Sequence, residues 1–518
     1  MAVNSLEQIQ HIVVLMLENR SFDNVLGWLY DPANSAPFNR IPPANFEGLY
    51  GKPLSNPKPD GTPVPVGKGH VFTDPNPDPG EPYEDVYCQI YGQKGAPTPI
   101  PSPPNPPGNM QGFVYNYAAQ KNVIAQQIDA GIIMNCFTPA SVPVLSSLAY
   151  YYGVCDHWFS SIPSQTLCNR SFVHAGTSSG YVNNGGNNDV LFINDTPTIF
   201  DLLENATKNW KIYSASWLIT SLALLTQEPV WRYYLNDRHD HFGSLADFVA
   251  AAQQPGGLPH YSFIEPVYLD SLRWGPENDM HPEANCYQLY GASNIEEGER
   301  LLFQIYQALR NSPDWNSSLL IVLFDEHGGC YDHVCPPTAA DGCKLAVSPD
   351  GKVIPPGQTG GTGFTFDRLG VRVPAVIVSP FTPPQTILNE CFDHTSVLST
   401  VMNCFGLQGD LGKRQQAAPD IGSALSLATQ RTDHPPVPQP AAGMTAGDRV
   451  LDAAKALLQA RQKPLSELQK KILAGVAHRL GAPLAEVEGF TSALDAEAYL
   501  MKQEAEALAR RTENLRIA

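Results

Sequence analysis

Two apolar runs that end abruptly in polar residues decide the fold. They are HIVVLMLENRS at 11–21 and LLIVLFDEHGG at 319–329. Continuous aliphatic runs of this length are typical of strands buried on both faces of a parallel sheet. A helical pattern at 296–310 and a third run inside RVPAVIVSPF at 372–381 extend the pattern. The sequence therefore predicts an α/β fold with a central, mostly parallel sheet flanked by helices.

The composition is that of a globular protein with a strong acidic bias. The chain has 518 residues, 43% of them hydrophobic and 16% charged, with 33 Lys+Arg against 51 Asp+Glu and a net charge of −18. Binding to nucleic-acid polymers is not expected, because phosphate backbones require basic surfaces. The apolar runs are too short for a transmembrane segment. The N-terminus lacks a signal-peptide pattern, so we expect a cytoplasmic protein, or an exported one if a leader has been removed.

Proline content divides the chain. Of the 47 prolines, 20 fall in residues 31–110. No core helix or strand is expected at that density, so we predict an ordered insertion or lid there, with a flexible linker as the alternative. A second Pro-rich stretch predicts a linker at 431–445. It separates a large α/β domain at 1–430 from a helical C-terminal extension at 446–518. Ten cysteines without CxxC spacing favour reduced thiols, although disulfides remain possible.

Carboxylates follow both strong strands. Glu18 and Asn19 follow the first, and Asp325 and Glu326 follow the second. Ligands of α/β sheets bind at the carboxyl ends of strands, and adjacent carboxylates repel unless a cation or proton separates them. The residues alone thus suggest a metal site, with a helix cap or a surface turn as the alternative.

Other candidate residues are weaker signals. Thr166 offers a hydroxyl nucleophile near Arg170, but no GxSxG elbow surrounds it, and Arg170 could equally pair with an acid. Asp279 lies two residues before His281, and Asp393 directly precedes His394. An aspartate so close in sequence can orient an imidazole ring. Most of the 13 histidines are expected to be structural.

Taken in order, these segments resemble one family. HIVVLMLENRSFDNVLGWL at 11–29, SQTLCNRSFVHAGTSSG at 164–180, IVLFDEHGGCYDHVCPP at 321–337, RLGVRVPAVIVSPF at 368–381 and FDHTSVLSTV at 392–401 are similar to motifs of the bacterial phosphoesterase family of phospholipase C and acid phosphatase A. The resemblance covers about residues 10–410. It implies an alkaline phosphatase-like fold and hydrolysis of phosphoric esters.

The resemblance also implies roles for individual residues. It implies a divalent metal ion whose ligands are Glu18, Asn19, Thr166, Asp325 and Glu326. It further implies that Thr166 is the nucleophile, that a phospho-threonine forms, and that water cleaves it. His281 and His394 would also be catalytic, with His281 in contact with the phosphoryl group and His394 nearby. Arg170 would help to bind substrate, and His239 or His241 could support the site.

The chain departs from the family pattern at two places. The nucleophile segment has Ser164-Gln165 and Cys168 where the family has Gly-Pro and Pro, so we expect a less rigid backbone there. Glu81, in DPGEPYEDVYCQ at 78–89, stands where many members have a histidine. A carboxylate at that substrate-contacting position predicts altered substrate handling or a second cation near Glu81.

Several alternatives remain open at this level. The substrate could be a phospholipid-type diester or a phosphate monoester. The same site could transfer the phosphoryl group to an alcohol or sugar, or the chain could be a disabled family member that only binds. Oxygen-rich ligation suits Ca²⁺, Mg²⁺ or Mn²⁺ better than Zn²⁺. The C-terminal helices could pack on the body or form a homo-oligomer.

Overall fold

A computed structural model provides the structure of the protein. It describes residues 5–92, 108–184, 193–215, 221–236, 239–269, 276–282, 294–337, 364, 366–440, 465–492, 494–503 and 505–506. Parts of the predicted insertion, linker and C-terminal extension, at 93–107, 441–464 and 507–518, lie outside these residues. No helix within the described residues has both the length and the apolar character needed to cross a membrane.

A single large sheet forms the centre of the molecule. The strands of the described residues are β1 (His11–Leu17), β2 (Ser55–Pro57), β3 (Pro63–Pro65), β4 (Gly67–Gly69), β5 (Asn135–Phe137), β6 (Gly153–Cys155), β7 (Trp210–Tyr213), β8 (Phe242–Gly243), β9 (Tyr261–Ile264), β10 (Ser318–Phe324), β11 (Ala375–Val378) and β12 (Thr386–Leu388). Within this part of the chain, eight strands pair in the order β12-β6-β11-β10-β1-β9-β7-β8. Every pairing is parallel except the two made by β11. The predicted mostly parallel sheet is confirmed.

The two strands that the sequence singled out lie side by side at the centre. β1 pairs with β10 over its whole length, from His11 opposite Ser318 to Leu17 opposite Phe324. Every residue of both strands is buried. Because successive side chains point to opposite faces of a sheet, both faces must be covered. The strands end at the same level, so the polar residues that follow them are neighbours.

Helices surround this sheet. The described α-helices with defined bounds are α1 (Phe22–Leu26), α2 (Tyr83–Tyr91), α3 (Phe113–Ala119), α4 (Lys121–Gln126), α5 (Pro143–Tyr151), α6 (Thr166–Ala175), α7 (Ile199–Asn205), α8 (Leu222–Thr226), α9 (Glu228–Leu235), α10 (Leu245–Ala252), α11 (Asn294–Arg310), α12 (Thr395–Phe405), α13 (Lys413–Ala417), α14 (Glu467–Leu480) and α15 (Ala485–Glu488). The predicted helical pattern at 296–310 is confirmed by α11.

The Pro-rich stretch holds more regular structure than expected. The prediction that it contains no core helix is wrong, because α2 lies within it and buries Val86 and Ile90 almost completely. Pro82 is the N-cap of α2, and no further proline occurs before Pro97, which leaves the nine residues after Pro82 free to form a helix. The boundaries of the insertion remain a prediction.

The C-terminal extension packs on the body through α14. Leu468, Ile472 and Val476 share a hydrophobic cluster with Leu167 and Phe172 of α6. The predicted helical character is confirmed there, and self-association remains a prediction. Cys391 is disulfide-bonded, so the expectation of reduced thiols does not hold at that residue.

Candidate active site

The carboxyl ends of β1 and β10 place four polar side chains together. Glu18, Asn19, Asp325 and Glu326 are all fully buried. The Asn19 backbone N–H donates to Oδ1 of Asp325 at 3.1 Å, and the Asp325 N–H donates to the Leu17 carbonyl at 3.2 Å. The two strand ends are thus connected by hydrogen bonds beyond the sheet itself.

A glycine allows the second strand end to turn over the first. Gly328 has a φ of +61°, and a Cβ there would lie 2.2 Å from the Asn19 carbonyl oxygen. Its N–H donates to Oε2 of Glu326 at 2.8 Å. Only a residue without a side chain can make this turn so close to the backbone of Asn19.

Thr166 is the first residue of α6 and is fully buried. Its hydroxyl donates to Oδ1 of Asn19 at 3.5 Å. The loop before it is held by Asn169, whose amide nitrogen donates to the carbonyls of Ile162, Ser164 and Gln165 at 3.2, 2.8 and 3.2 Å. The expected loss of backbone rigidity is therefore offset, because Asn169 holds this loop on both sides of Pro163.

Arg170, one turn further along α6, faces the carboxylates. Its Nη2 lies 3.1 Å from Oε1 of Glu18 and its Nε donates to Oδ2 of Asp325 at 3.0 Å. Nη2 also donates to the carbonyls of Met16 and Leu17, each at 3.2 Å. The protein thus engages Nε and Nη2, whereas Nη1 is buried without a hydrogen-bond partner among the described residues, so the role of Arg170 in substrate binding stays a prediction. Arg170 organises the carboxylates.

The donor set at the strand ends fits a divalent cation. Oε2 of Glu18 and Oε1 of Glu326 accept no hydrogen bond from the described residues, and Oε1 of Glu18 has the ion pair with Arg170 but no hydrogen bond of good geometry. Burial raises the pKa of Glu18 well above its usual range, against the opposing effect of Arg170, and burial with the neighbouring Glu81 does the same for Glu326. Buried acceptors that lack donors are costly unless a cation occupies the space between them.

Glu81 and His281 lie on the other side of the Asn19 amide. Asn19 Nδ2 donates to Oε1 of Glu81 at 2.5 Å and contacts Nε2 of His281 at 2.9 Å. Asp78 lies 3.8 Å from Nδ1 of His281, and Glu81 lies 3.5 Å from Nε2. The structure therefore brings the predicted residue Glu81 next to the metal-ligand candidates, and it adds Asp78, which the sequence analysis did not single out.

His394 lies behind the site. Its Nε2–H donates to the Asp325 carbonyl at 2.6 Å, and its Nδ1 accepts from Trp158 Nε1 at 3.4 Å. Burial lowers the pKa of the ring, which is therefore neutral near pH 7. With both nitrogens engaged, the geometry favours a positioning role for His394 over the predicted catalytic one.

His241 is at the opposite edge of the sheet. Its ring stacks on Trp210, the first residue of β7, with centroids 3.8 Å apart, and its Nε2 lies 2.9 Å from Glu204. In the sheet, Trp210 pairs with Tyr261, and Tyr261 pairs with Ile12 near the amino end of β1. Ile12 is six residues before Glu18, which is about 20 Å along an extended strand. The prediction that His239 or His241 supports the substrate site is wrong, because the turn His239–His241 belongs to the amino ends of the strands.

A second residue missed by the sequence analysis is Gln89 of α2. His327 Nε2–H donates to its Oε1 at 2.7 Å, and its own amide donates to the Gly80 carbonyl at 2.7 Å. The Pro-rich stretch thus contacts the DEHGG turn directly. Gln89 is eight residues after Glu81 and lies on the buried face of a helix, so recognising the helix in the sequence would have indicated it.

One further buried acidic cluster has its own counter-charge. Asp23, Asp332 and His333 converge, but Arg372 pairs with Asp23 at 3.0 Å and with Asp332 at 2.9 Å. This network connects α1, the segment after the DEHGG turn and the loop before β11. It does not need a cation.

Comparison with known proteins identifies the family of this chain. The model of the Phosphoesterase family matches residues 9–408. Non-specific phospholipase C3 of Arabidopsis thaliana is 35% identical over 447 residues, which is 83% of this chain and 76% of that protein. Phospholipase C A of Mycobacterium tuberculosis strain H37Rv is 27% identical over 462 residues, covering 82% of this chain and 78% of that protein.

Solved structures give weaker likenesses. A protein in the alkaline phosphatase superfamily from Vibrio parahaemolyticus is 12% identical, with a TM-score of 0.31 over 54% of this chain and 65% of that one. A putative sulfatase from Bacteroides thetaiotaomicron is 11% identical, with a TM-score of 0.31 over 57% and 72%. Structural similarity this low does not identify a family. The family of this chain is shown by the match to the family model and by the sequence relatives. The chain belongs to the phosphoesterase family and is a phosphoric ester hydrolase.

Proposed function

We propose that this protein hydrolyses phosphodiesters of the phospholipid class, with Thr166 as the nucleophile. The observation that carries the proposal is the place of the Thr166 hydroxyl, fully buried at the start of α6 and 3.5 Å from Oδ1 of Asn19. Asn19 in turn adjoins the carboxylates of the two strand ends. A hydroxyl among cation ligands is the arrangement that activates a weak nucleophile.

Glu18, Asn19, Thr166, Asp325 and Glu326 would hold a divalent cation. Bound there, the cation supplies positive charge that favours the ionised hydroxyl and offsets charge on the transferring group. Arg170 keeps the carboxylates of Glu18 and Asp325 in place through two ion pairs. The Asn169 hydrogen bonds fix the position of the loop that presents Thr166.

The reaction has two displacements at phosphorus. The Thr166 hydroxyl loses its proton and Oγ1 attacks the phosphorus, while the bond between phosphorus and the oxygen of the diacylglycerol breaks and the released alkoxide takes up one proton. A phospho-threonine that carries the head group remains. Water then loses a proton and attacks the same phosphorus, the bond to Thr166 breaks, Oγ1 takes up a proton, and the phosphorylated head group leaves.

The charge of the site favours a diester over a monoester. Asp78 and Glu81 lie beside the site, and burial together with Asp78 raises the pKa of Glu81 well above its usual range. Whatever negative charge this pair carries repels phosphoryl oxygens, and it repels a doubly charged group more than a singly charged one. A diester carries one negative charge near neutral pH, whereas a monoester carries up to two. The names of the relatives, non-specific phospholipase C3 and phospholipase C A, support the same choice.

The test compares Thr166→Ala and Thr166→Ser with a matched control, Thr177→Ala, which makes the same change beyond the other end of α6. Substrates are phosphatidylcholine vesicles, bis-p-nitrophenyl phosphate and p-nitrophenyl phosphate, assayed with Mn²⁺ and with EDTA. We expect Thr166→Ala to lose activity by at least about 10³-fold, Thr166→Ser to retain part of it and the control to retain all of it. Undiminished turnover by Thr166→Ala would contradict the mechanism.

Mass spectrometry of acid-quenched enzyme checks the intermediate directly. We expect a phosphorylated peptide containing Thr166 in the wild type and none in Thr166→Ala. Added glycerol separates hydrolysis from transfer to an alcohol, since only transfer gives a phosphoglycerol product. Absence of turnover with every metal tested would instead indicate a binding protein.

A further inference from the structure

A short segment that follows α6, residues 182–184, lies against the start of that helix. Oδ1 of Asn184 accepts from the Leu167 N–H at 2.8 Å, and the Asn184 N–H donates to Oε1 of Gln165 at 3.0 Å. We propose that Asn184 is a positioning residue, which holds the first turn of α6 and thereby fixes the place of Thr166. The inference rests on the proposed role of Thr166 as the nucleophile and assigns a further residue to that reaction.

The first turn of α6 depends on an acceptor from outside the helix. Gln165 is its N-cap, but the Gln165 side chain makes no capping hydrogen bond. The N–H groups of a first turn have no partner within their own helix, and an N-cap side chain usually accepts from the second or third residue. Leu167 is the second residue of α6 and is 1% exposed, so a lost partner of its N–H is not replaced by bulk water. Asn184 therefore supplies the missing cap.

Three residues of the nucleophile segment depart from the family pattern, and all three contact the 182–184 segment. Ser164 Oγ lies 3.0 Å from Oδ1 of Asn183, and the Cys168 thiol donates to the Asn183 carbonyl at 3.4 Å. Gln165 accepts from the last N–H of the segment. Glycine and proline side chains have no polar atoms with which to make these contacts. Hydrogen bonds to a neighbouring segment thus stand where the family has stiff backbone.

The 182–184 segment is itself anchored on two sides. Val182 is buried and shares a hydrophobic cluster with Leu167. Oδ1 of Asn183 accepts from the Tyr83 N–H at 2.9 Å, and Tyr83 is the first residue of α2. The segment therefore lies between the start of α6 and the start of α2, and it can act as a fixed support for the nucleophile.

The place of the Thr166 hydroxyl follows from this support. Thr166 directly precedes Leu167, and its Oγ1 lies 3.5 Å from Oδ1 of Asn19. Without Asn184 the Leu167 N–H finds a partner only if the first turn shifts or frays, and Thr166 then moves with it. A displacement of about 1 Å at the reacting atoms can cost on the order of 10²-fold in rate. Because the attacking group is displaced, kcat should fall more than KM rises.

The experiment measures kcat and KM of Asn184→Ala and of a matched control, Asn56→Ala, on bis-p-nitrophenyl phosphate with Mn²⁺. Oδ1 of Asn56 accepts from the Val114 N–H at 3.1 Å, and Val114 is the second residue of α3. The control thus removes the same kind of cap from another helix. We expect Asn184→Ala to lower kcat at least about tenfold with KM changed less than about threefold, and Asn56→Ala to keep kcat within about twofold. A smaller loss in Asn184→Ala, or an equal loss in Asn56→Ala, would overturn the proposal.

Two variants of Gln165 keep the test decisive if Asn184→Ala fails to fold. Gln165 has a φ of −77° and a ψ of 171°, values that a proline also adopts. Gln165→Ala removes the acceptor of the Asn184 N–H and leaves the backbone free, whereas Gln165→Pro removes the same acceptor and fixes φ. We expect kcat to fall at least about threefold in Gln165→Ala and to return to at least about half of the wild-type value in Gln165→Pro. Equal kcat values in the two variants would contradict the positioning role.

Hydrogen exchange separates this inference from the proposed function. Without substrate, the Leu167 amide of Asn184→Ala should exchange at least about tenfold faster than in the wild type, while the amides of α12 should exchange as in the wild type. Unchanged exchange at Leu167 would reject the support by Asn184, whatever the activity. If Thr166→Ala kept its turnover, the proposed function would fail, and exchange at Leu167 would still decide whether Asn184 holds α6.

Discussion

Arg170 and Asp325 form a buried ion pair in which Nε donates to Oδ2 at 3.0 Å. The same guanidinium reaches Glu18 at 3.1 Å and the last carbonyls of β1, so a residue of α6 connects the ends of two strands. Thr166 lies on the same helix, one turn before Arg170. The ion pairs therefore fix the nucleophile candidate relative to the carboxylates.

The first prediction concerns this pair. Arg170→Lys should lower the free energy of unfolding by about 3–5 kcal/mol, because a lysine cannot serve both carboxylates and two carbonyls at once. Turnover should fall with it, since the carboxylates lose their fixed spacing. Urea denaturation and activity assays measure the two effects.

Arg232→Lys is the matched control, because Arg232 pairs with Asp195 at the surface, with 53% and 66% of the side chains exposed. It should change stability by less than about 1 kcal/mol. Equal effects of the two substitutions would contradict the organising role of Arg170.

Gly328 gives a second prediction. Gly328→Ala places a Cβ 2.2 Å from the Asn19 carbonyl oxygen and strains a positive φ, so it should cost at least about 3 kcal/mol of stability and abolish turnover. Gly406→Ala is the control, because Gly406 has a φ of +64° with nothing within 4 Å of the added Cβ. It should cost about 1 kcal/mol and leave turnover unchanged. Thermal denaturation of both variants measures the two contributions. The loss of stability in Gly406→Ala reports the backbone strain alone, and the additional loss in Gly328→Ala reports the clash with the Asn19 carbonyl.

The contact between α14 and the body supports a third prediction. Gln469 Nε2 donates to the Tyr268 carbonyl at 2.9 Å and to Glu277 at 2.6 Å, while its Oε1 accepts from the Ser466 N–H at 2.9 Å. Gln469→Glu keeps the capping box but replaces both donors by a carboxylate facing Glu277. We expect a loss of about 1–3 kcal/mol and faster hydrogen exchange in α14.

Lys470→Ala, at an exposed neighbouring position, should leave both quantities unchanged. If hydrogen exchange in α14 is as slow in Gln469→Glu as in the wild type, the contact with the body does not hold the helix in place.

Glu299 of α11 provides a pH-dependent prediction. Its carboxylate accepts from the N–H groups of Val144 and Leu145 at the start of α5, and burial raises its pKa from the ordinary 4.5 to about 8. Between these values the folded protein retains a proton that the unfolded chain has lost. The free energy of unfolding therefore falls as the pH rises through this window, by at most about 1.4 kcal/mol per pH unit.

The measurement is urea denaturation of the wild type and Glu299→Gln at pH 5.5, 6.5 and 7.5. The stability of the wild type relative to the variant should decrease with each step. Glu296→Gln, on the same helix, should follow the wild type. A difference that does not decrease over these steps would show that the pKa of Glu299 is not raised in the folded protein.

The sequence by itself determined the two central strands and the acids that follow them. Their apolar runs are local patterns, and parallel pairing of such strands brings their carboxyl ends together whatever the rest of the chain does. Glu18, Asn19, Asp325 and Glu326 could therefore be named in advance. The family resemblance added Thr166, whose local sequence is a weak signal.

Only the tertiary structure decided the roles of Arg170, of the histidines and of Asp78. Arg170 pairs with carboxylates, His394 donates to the Asp325 carbonyl, and His241 lies at the far edge of the sheet. These roles depend on the order of the strands and on which helix covers which strand end, and no local pattern encodes either. Asp78 joined the site for the same reason, because the turn before α2 carries it across the sheet edge to His281.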